Sequence, residues 1–113
     1  MKPPAEPQLK VIWLEQFLLL CQENDFLKAA QKLGLSRQTL QRNIGLLEKT
    51  VNVDLIQRNG KDFLITPQGR LFYTEAQHVI RTMNLFSREL KQHLLGPLQG
   101  SIRLGWQSWL SFQ

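Results

Sequence analysis

Six side chains within eight consecutive positions can do chemistry together. Arg37, Gln38, Thr39, Gln41, Arg42 and Asn43 follow Ser36 in a stretch without a single acid up to Leu47. Arginine pairs with guanine, glutamine and asparagine pair with adenine, and threonine packs on the thymine methyl, so these residue types are suited to base edges and phosphates. Leu40, Ile44 and Leu47 recur among them at helical spacing, so one stripe faces a core and the polar set faces away. Arg37, Gln38, Thr39 and Gln41 are the candidates for base readout. Ser36, Arg42, Arg58 and Lys61 are the candidates for phosphate contact, with the free helix amides behind Ser36 holding a further phosphate. An ordinary solvated helix face is the competing reading, and the missing acids weigh against it.

The elements that position this face are legible nearby. Ser36 is a good N-cap, and Leu35 with Leu40 has the spacing of a hydrophobic staple. Asn52 suits a left-handed stop. A shorter helix precedes it, from about Asp25 or Phe26 to Leu33, with Phe26, Ala29, Ala30 and Leu33 as its buried face and Gly34 in the turn. Ala29-Ala30 leaves room for a helix to cross closely. Two helices joined by a tight turn, the second polar and basic, have the layout of a helix-turn-helix. An apolar helix from about Gln8 to Glu23 comes first, after a proline-rich tail. Residues 54–58 and 62–66 are short β-prone runs around Asn59-Gly60-Lys61, a hairpin signal. A hairpin in this place is a wing, with Arg58 and Lys61 flanking its tip and Leu55, Phe63 and Ile65 completing the core.

Thr66-Pro67 starts a long helix that runs to about Leu95, where Gly96-Pro97 ends it. Its apolar residues Phe72, Ala76, Val79, Met83, Phe86, Leu90 and Leu94 lie close to a heptad seam. Such a narrow stripe needs a partner, and a second copy of the chain is the simplest one. Residues 100–105 alternate like a strand, and residues 106–113 carry two Trp and a Phe, so the chain is expected to end just inside a second domain. The organisation expected is a tail over 1–8, a winged helix-turn-helix domain over 9–66, a linker helix over 67–95, and a hinge with a first strand over 96–113. The fold class is mainly α: a three-helix core with a β-hairpin wing, followed by a long dimerisation helix.

Charge agrees with this placement. The 113 residues carry a net charge of +5, and residues 26–70 alone carry eight Lys or Arg against three acids. A basic patch of this kind draws phosphates and speeds encounter with DNA. Function classes other than binding find little support. The two histidines, His78 and His93, lie in the long helix 15 positions apart, and no carboxylate pair, Cys-His pair or Gly-rich phosphate loop has usable spacing. One Cys and two His do not close a tetrahedral metal shell. No enzyme activity, cofactor or metal is expected. Cys21 is alone, so no intrachain disulfide forms, and it reads as a small buried hydrophobe. No signal peptide is visible, and the longest apolar run, Phe17 to Cys21, is far too short for a membrane, so a cytoplasmic protein is expected. A winged helix that binds a protein partner in place of DNA is the alternative function.

Taken together the motifs resemble the N-terminal part of a LysR-type transcriptional regulator, over roughly Leu9 to Gly105. The family's Leu and aromatic of the first helix are similar to Leu14 and Phe17, and its Phe, Ala-Ala, Leu pattern to Phe26, Ala29-Ala30 and Leu33. Its Ile and Leu-Glu correspond to Ile44 and Leu47-Glu48, and its wing ending to Ile65-Thr66 and Gly69. Gly100 to Gly105 resembles the strand after its linker helix. Arg37 and Gln41 replace the usual Gln and Ser, Asn52 a usual Gly and Ile56 a usual Phe, which changes base preference and leaves the fold intact. The resemblance implies a dimer on a double-stranded operator, each recognition helix in a major groove and each wing on flanking backbone. It also implies that a small-molecule inducer acts through a following periplasmic-binding-protein-like domain, with residues 106–108 near its site. A chain without that domain would bind DNA constitutively.

Overall fold

The structure, a computed structural model, describes residues 8–94. The chain divides into two units, residues 1–77 and 78–113. The expected tail, apart from Gln8, and the expected hinge and strand over 96–113 lie outside the described residues.

The first unit opens with α1, Val11–Glu23, three residues later than its apolar pattern suggested. Asn24, at φ 55, ends it as a left-handed cap whose N–H donates to the Leu20 carbonyl. Asp25 then caps α2, Phe26–Leu33, by accepting from the Lys28 N–H at 2.9 Å. Gly34, at φ 71, closes α2. α3 runs Arg37–Val51 and stops at Asn52, φ 60, as the sequence indicated. These caps satisfy amides and carbonyls that helix ends otherwise leave open.

Two strands follow, β1 over Ile56–Asn59 and β2 over Asp62–Ile65, paired antiparallel with Asn59 opposite Asp62. The turn is therefore Gly60-Lys61. Gly60 takes φ 64, a conformation that a two-residue hairpin loop needs and glycine adopts at no steric cost. The first unit's core is built from Phe17 and Leu20 of α1, Leu40, Ile44 and Leu47 of α3, and Leu55, all fully buried, with Phe26, Ala29 and Ala30 of α2 beside them. Phe63 joins the core and meets Phe26 edge-on, ring centres 5.1 Å apart. Leu33, the last residue of α2, is only half-buried. Cys21 is half-buried, and burial pushes its thiol up to about 12, so it stays protonated at neutral pH.

α4 spans Pro67–Glu89. Thr66 caps it as expected: its hydroxyl accepts from the Gly69 N–H at 2.9 Å and donates to the Asp54 carbonyl at 2.6 Å. The helix was expected to stay α-helical to about Leu95. Instead Leu90–Leu94 closes as a π-turn, where the apolar spacing departs from the heptad beat with two successive steps of four. His93 and Glu89 pair there at 2.9 Å.

Candidate nucleic-acid interface

The putting-forward of a polar face begins at the cap of α3. Ser36 Oγ accepts from the Thr39 N–H at 3.0 Å and donates to Thr39 Oγ1 at 2.8 Å. The cap fixes where the helix begins and so which residues its first turn presents. Gln38 and Arg42 are exposed, Arg37, Thr39 and Gln41 are half-buried, and Leu40, Ile44 and Leu47 are wholly buried behind them. The Thr39 hydroxyl already has a partner in Ser36, which leaves its methyl as the freer surface.

The wing supplies the rest. Lys61 is exposed in the hairpin turn. It lines one depression together with Arg37, Phe26, Leu27, Phe63 and Leu64, so the first residue of α3 and the wing turn border the same concavity. Arg58 is placed differently. It lies opposite Phe63 in the hairpin, and its guanidinium stacks over the Phe26 ring at 5.4 Å. That stacking holds the side chain near α2 while leaving it exposed. None of Arg37, Arg42, Arg58 or Lys61 forms an ion pair with a carboxylate among the described residues, although Asp25 and Asp62 line the same depression as Arg37 and Lys61.

Three features escaped the sequence reading. Lys49 is exposed and lies seven positions after Arg42, two helical turns along the same stripe. That spacing was visible in the sequence. Asn43, grouped by sequence with the outward polar set, instead donates from Nδ2 to Gln16 Oε1 of α1 at 2.9 Å. Glu48 turns its carboxylate to the backbone, accepting from the Leu55 N–H at 2.8 Å and the Ile56 N–H at 3.1 Å. The only sequence signal for the α1 contribution is that Glu15-Gln16 interrupts an apolar run. Gln16 is buried and bonded, whereas Glu15 is buried with Oε1 unpartnered, and burial pushes its carboxyl up to about 8.

The seam of α4 divides between the two units. Phe72 packs edge-on against Phe17, ring centres 5.5 Å apart, and Ala76 is buried, so the start of the stripe is covered within the chain. In the second unit Val79 is 41% and Leu94 64% exposed. Among the described residues no three His, Cys, Asp or Glu gather to hold a metal ion, and no helix is long and apolar enough to cross a membrane.

Three helices with a capped, basic third one and a two-stranded hairpin define a winged helix-turn-helix protein. Residues 12–70, more than half of the chain, match the family described as bacterial regulatory helix-turn-helix protein, lysR family. The chain belongs to that family. It is 33% identical over 92 residues to a probable hydrogen peroxide-inducible genes activator of Mycobacterium xenopi, covering 81% of this chain and 48% of that protein. It is 32% identical over 91 residues to the HTH-type transcriptional regulator DmlR of Escherichia coli K12, covering 80% of this chain and 29% of that one. The chain thus spans about half or less of these relatives. Among solved structures, Vibrio fischeri DarR in complex with DNA superimposes with a TM-score of 0.73 at 30% identity, over 82% of this chain and 31% of DarR. The DNA-binding domain of BenM on its catB site 1 DNA gives 0.70 at 27% identity, over 74% of this chain and 93% of that one. These relatives are transcriptional regulators.

Proposed function

We propose that this protein is a sequence-specific regulator that binds double-stranded DNA as a dimer, with α3 in the major groove and the wing on flanking backbone or minor groove. The observation that carries the reading is the placement of α3 and the wing turn: unpaired Arg37 and Lys61 border one depression, and exposed Gln38 and Arg42 continue the surface along the helix. Arg37, Gln38, Thr39 and Gln41 read bases. Ser36, Arg42, Arg58 and Lys61 hold phosphates, joined by Lys49 further along the stripe. The family membership and the DNA complexes of DarR and BenM support this assignment.

The domain organisation follows the same reading: a DNA-binding domain over 9–66 and a linker helix over 67–95. Two copies join along the second half of the seam, Val79, Met83, Phe86, Leu90 and Leu94, where Val79 and Leu94 are exposed, while Phe72 and Ala76 at its start are covered within the chain. A small-molecule inducer acts on the protein only if an effector domain is present beyond these elements. The place of action is the cytoplasm, in keeping with the regulator family to which the chain belongs.

The test is fluorescence anisotropy with a randomised duplex pool at two salt concentrations, followed by sequencing of the bound fraction. An enriched two-fold-symmetric motif is expected, with affinity falling steeply as salt rises. Absence of duplex binding at low salt would overturn the reading in favour of a winged helix that docks a protein.

A further inference from the structure

Glu48 sits three residues before the end of α3, on its flank relative to Gln38 and Arg42. One of its oxygens, Oε2, receives two consecutive backbone N–H groups, those of Leu55 and Ile56, at 2.8 and 3.1 Å. An ionised acceptor makes such bonds short and strong. The two amides belong to the point where the chain enters β1. The same short segment is gripped from its other side by the start of α4. The Thr66 N–H donates to the Leu55 carbonyl at 3.1 Å, and the Thr66 hydroxyl to the Asp54 carbonyl at 2.6 Å. Gly69 comes so close that a Cβ there would collide with the Leu55 carbonyl oxygen. Leu55 itself is fully buried. The root of the wing is therefore held between the end of α3 and the first turn of α4, and Glu48 is the only side chain of α3 that bonds to it among the described residues.

We propose that Glu48 is a positioning residue for DNA binding: through the Leu55 and Ile56 amides it sets the wing, and with it Arg58 and Lys61, at a fixed station relative to α3. This rests on the DNA-binding reading above. Glu48 itself touches no DNA. Its carboxylate converts the rigidity of α3 into a fixed separation between groups that read bases and groups that hold backbone. A hairpin freed at its root still carries Arg58 and Lys61, but their phosphate contacts then form only after the wing is ordered.

The test compares the parent chain with Glu48→Ala, Glu48→Asp and Glu48→Gln on selected and random duplexes across a salt series. Amide hydrogen exchange is read in the absence of DNA. Glu48→Gln keeps an acceptor at the right reach and is expected to bind within about threefold of the parent. Glu48→Ala is expected to lose about tenfold on both duplexes, and its log–log salt slope to fall by up to about two, the contribution of Arg58 and Lys61. Adding Lys61→Ala should then cost little more, whereas Arg42→Ala should cost as much as it does in the parent. Exchange at Leu55 and Ile56 should quicken about tenfold relative to the core amides of α1, which report global stability. Should Glu48→Ala fail to fold, Glu48→Asp, one methylene short of the amides, carries the same comparison. Additive losses with Lys61→Ala, loss confined to the selected sequence, or unchanged exchange at Leu55 and Ile56 would each overturn the inference while leaving DNA binding intact. A parent chain that binds neither duplex overturns the DNA reading, and this inference with it.

Discussion

Gln38 and Arg42 lie one turn apart on the exposed stripe of α3, yet substitution should affect them differently. Arg42 offers a point of positive charge, so Arg42→Ala is expected to weaken all duplexes alike and to flatten the salt slope by about one unit. An altered sequence preference at unchanged slope would count against the phosphate role. Gln38 has a bidentate amide, and Gln38→Ala should cost about 1–3 kcal/mol on the selected operator alone. Equal loss on random duplex would show that it reads no base. Glu15 poses a different problem, since the residue is only 7% exposed and one of its carboxyl oxygens is unpartnered. The folded chain holds the Glu15 proton until about pH 8, whereas the ordinary value is 4.5. The stability associated with the neutral carboxyl is thus complete below pH 4.5 and drains away as pH rises towards 8. Glu15→Gln, which cannot ionise, should melt higher than the parent at pH 8 and show a flatter profile between pH 4.5 and 8. Parallel melting profiles for the two chains would refute the assignment.

At the scale of the element, caps and close approaches decide more than propensity does. Gly69 lies in the first turn of α4, where alanine would ordinarily favour the helix by about 1 kcal/mol. Here a Cβ would strike the Leu55 carbonyl and sit 2.8 Å from Ile65 Cγ2. The obstacle is backbone, which cannot swing away, so the sign reverses. Gly69→Ala is expected to destabilise by about 1–3 kcal/mol in denaturant melts. A gain in stability would mean that the Asp54–Ile56 segment yields freely. The wing behaves as a lever held at this root. Its strands are only four residues each, too few to stand alone, and it is steadied by Phe63 against Phe26 as well as by the Glu48 bonds.

For the molecule as a whole, the seam of α4 is the feature to test. Val79 and Leu94 are both substantially exposed in the second unit, and an apolar helical stripe of this kind gains stability from a partner. Val79→Glu is expected to shift sedimentation from dimer to monomer and to lower affinity for a two-half-site operator well beyond tenfold, with a single half-site little changed. Unaltered sedimentation would count against self-association through this seam. Phe72→Ala should instead cost stability of the first unit, because its ring lies on Phe17.

The sequence by itself determined the order of the elements, the caps at Ser36, Asn52 and Thr66, and the apolar stripe of α3. Those features are local: Ser36, Asn52 and Thr66-Pro67 act within a few residues, and the spacing of Leu40, Ile44 and Leu47 is a property of one helix. The family was legible for the same reason, as a set of short motifs. What the tertiary structure decided are the contacts between side chains far apart in the chain. Asn43 reads as one more outward amide until Gln16, 27 positions away, is found beside it. Arg58 reads as a wing-tip charge until Phe26 comes beneath it. Glu48 reads as a helix-end acid until folding brings the Leu55 and Ile56 amides to its oxygen. A hydrogen bond or stacking contact depends on where two elements meet, and no spacing within either one encodes that meeting.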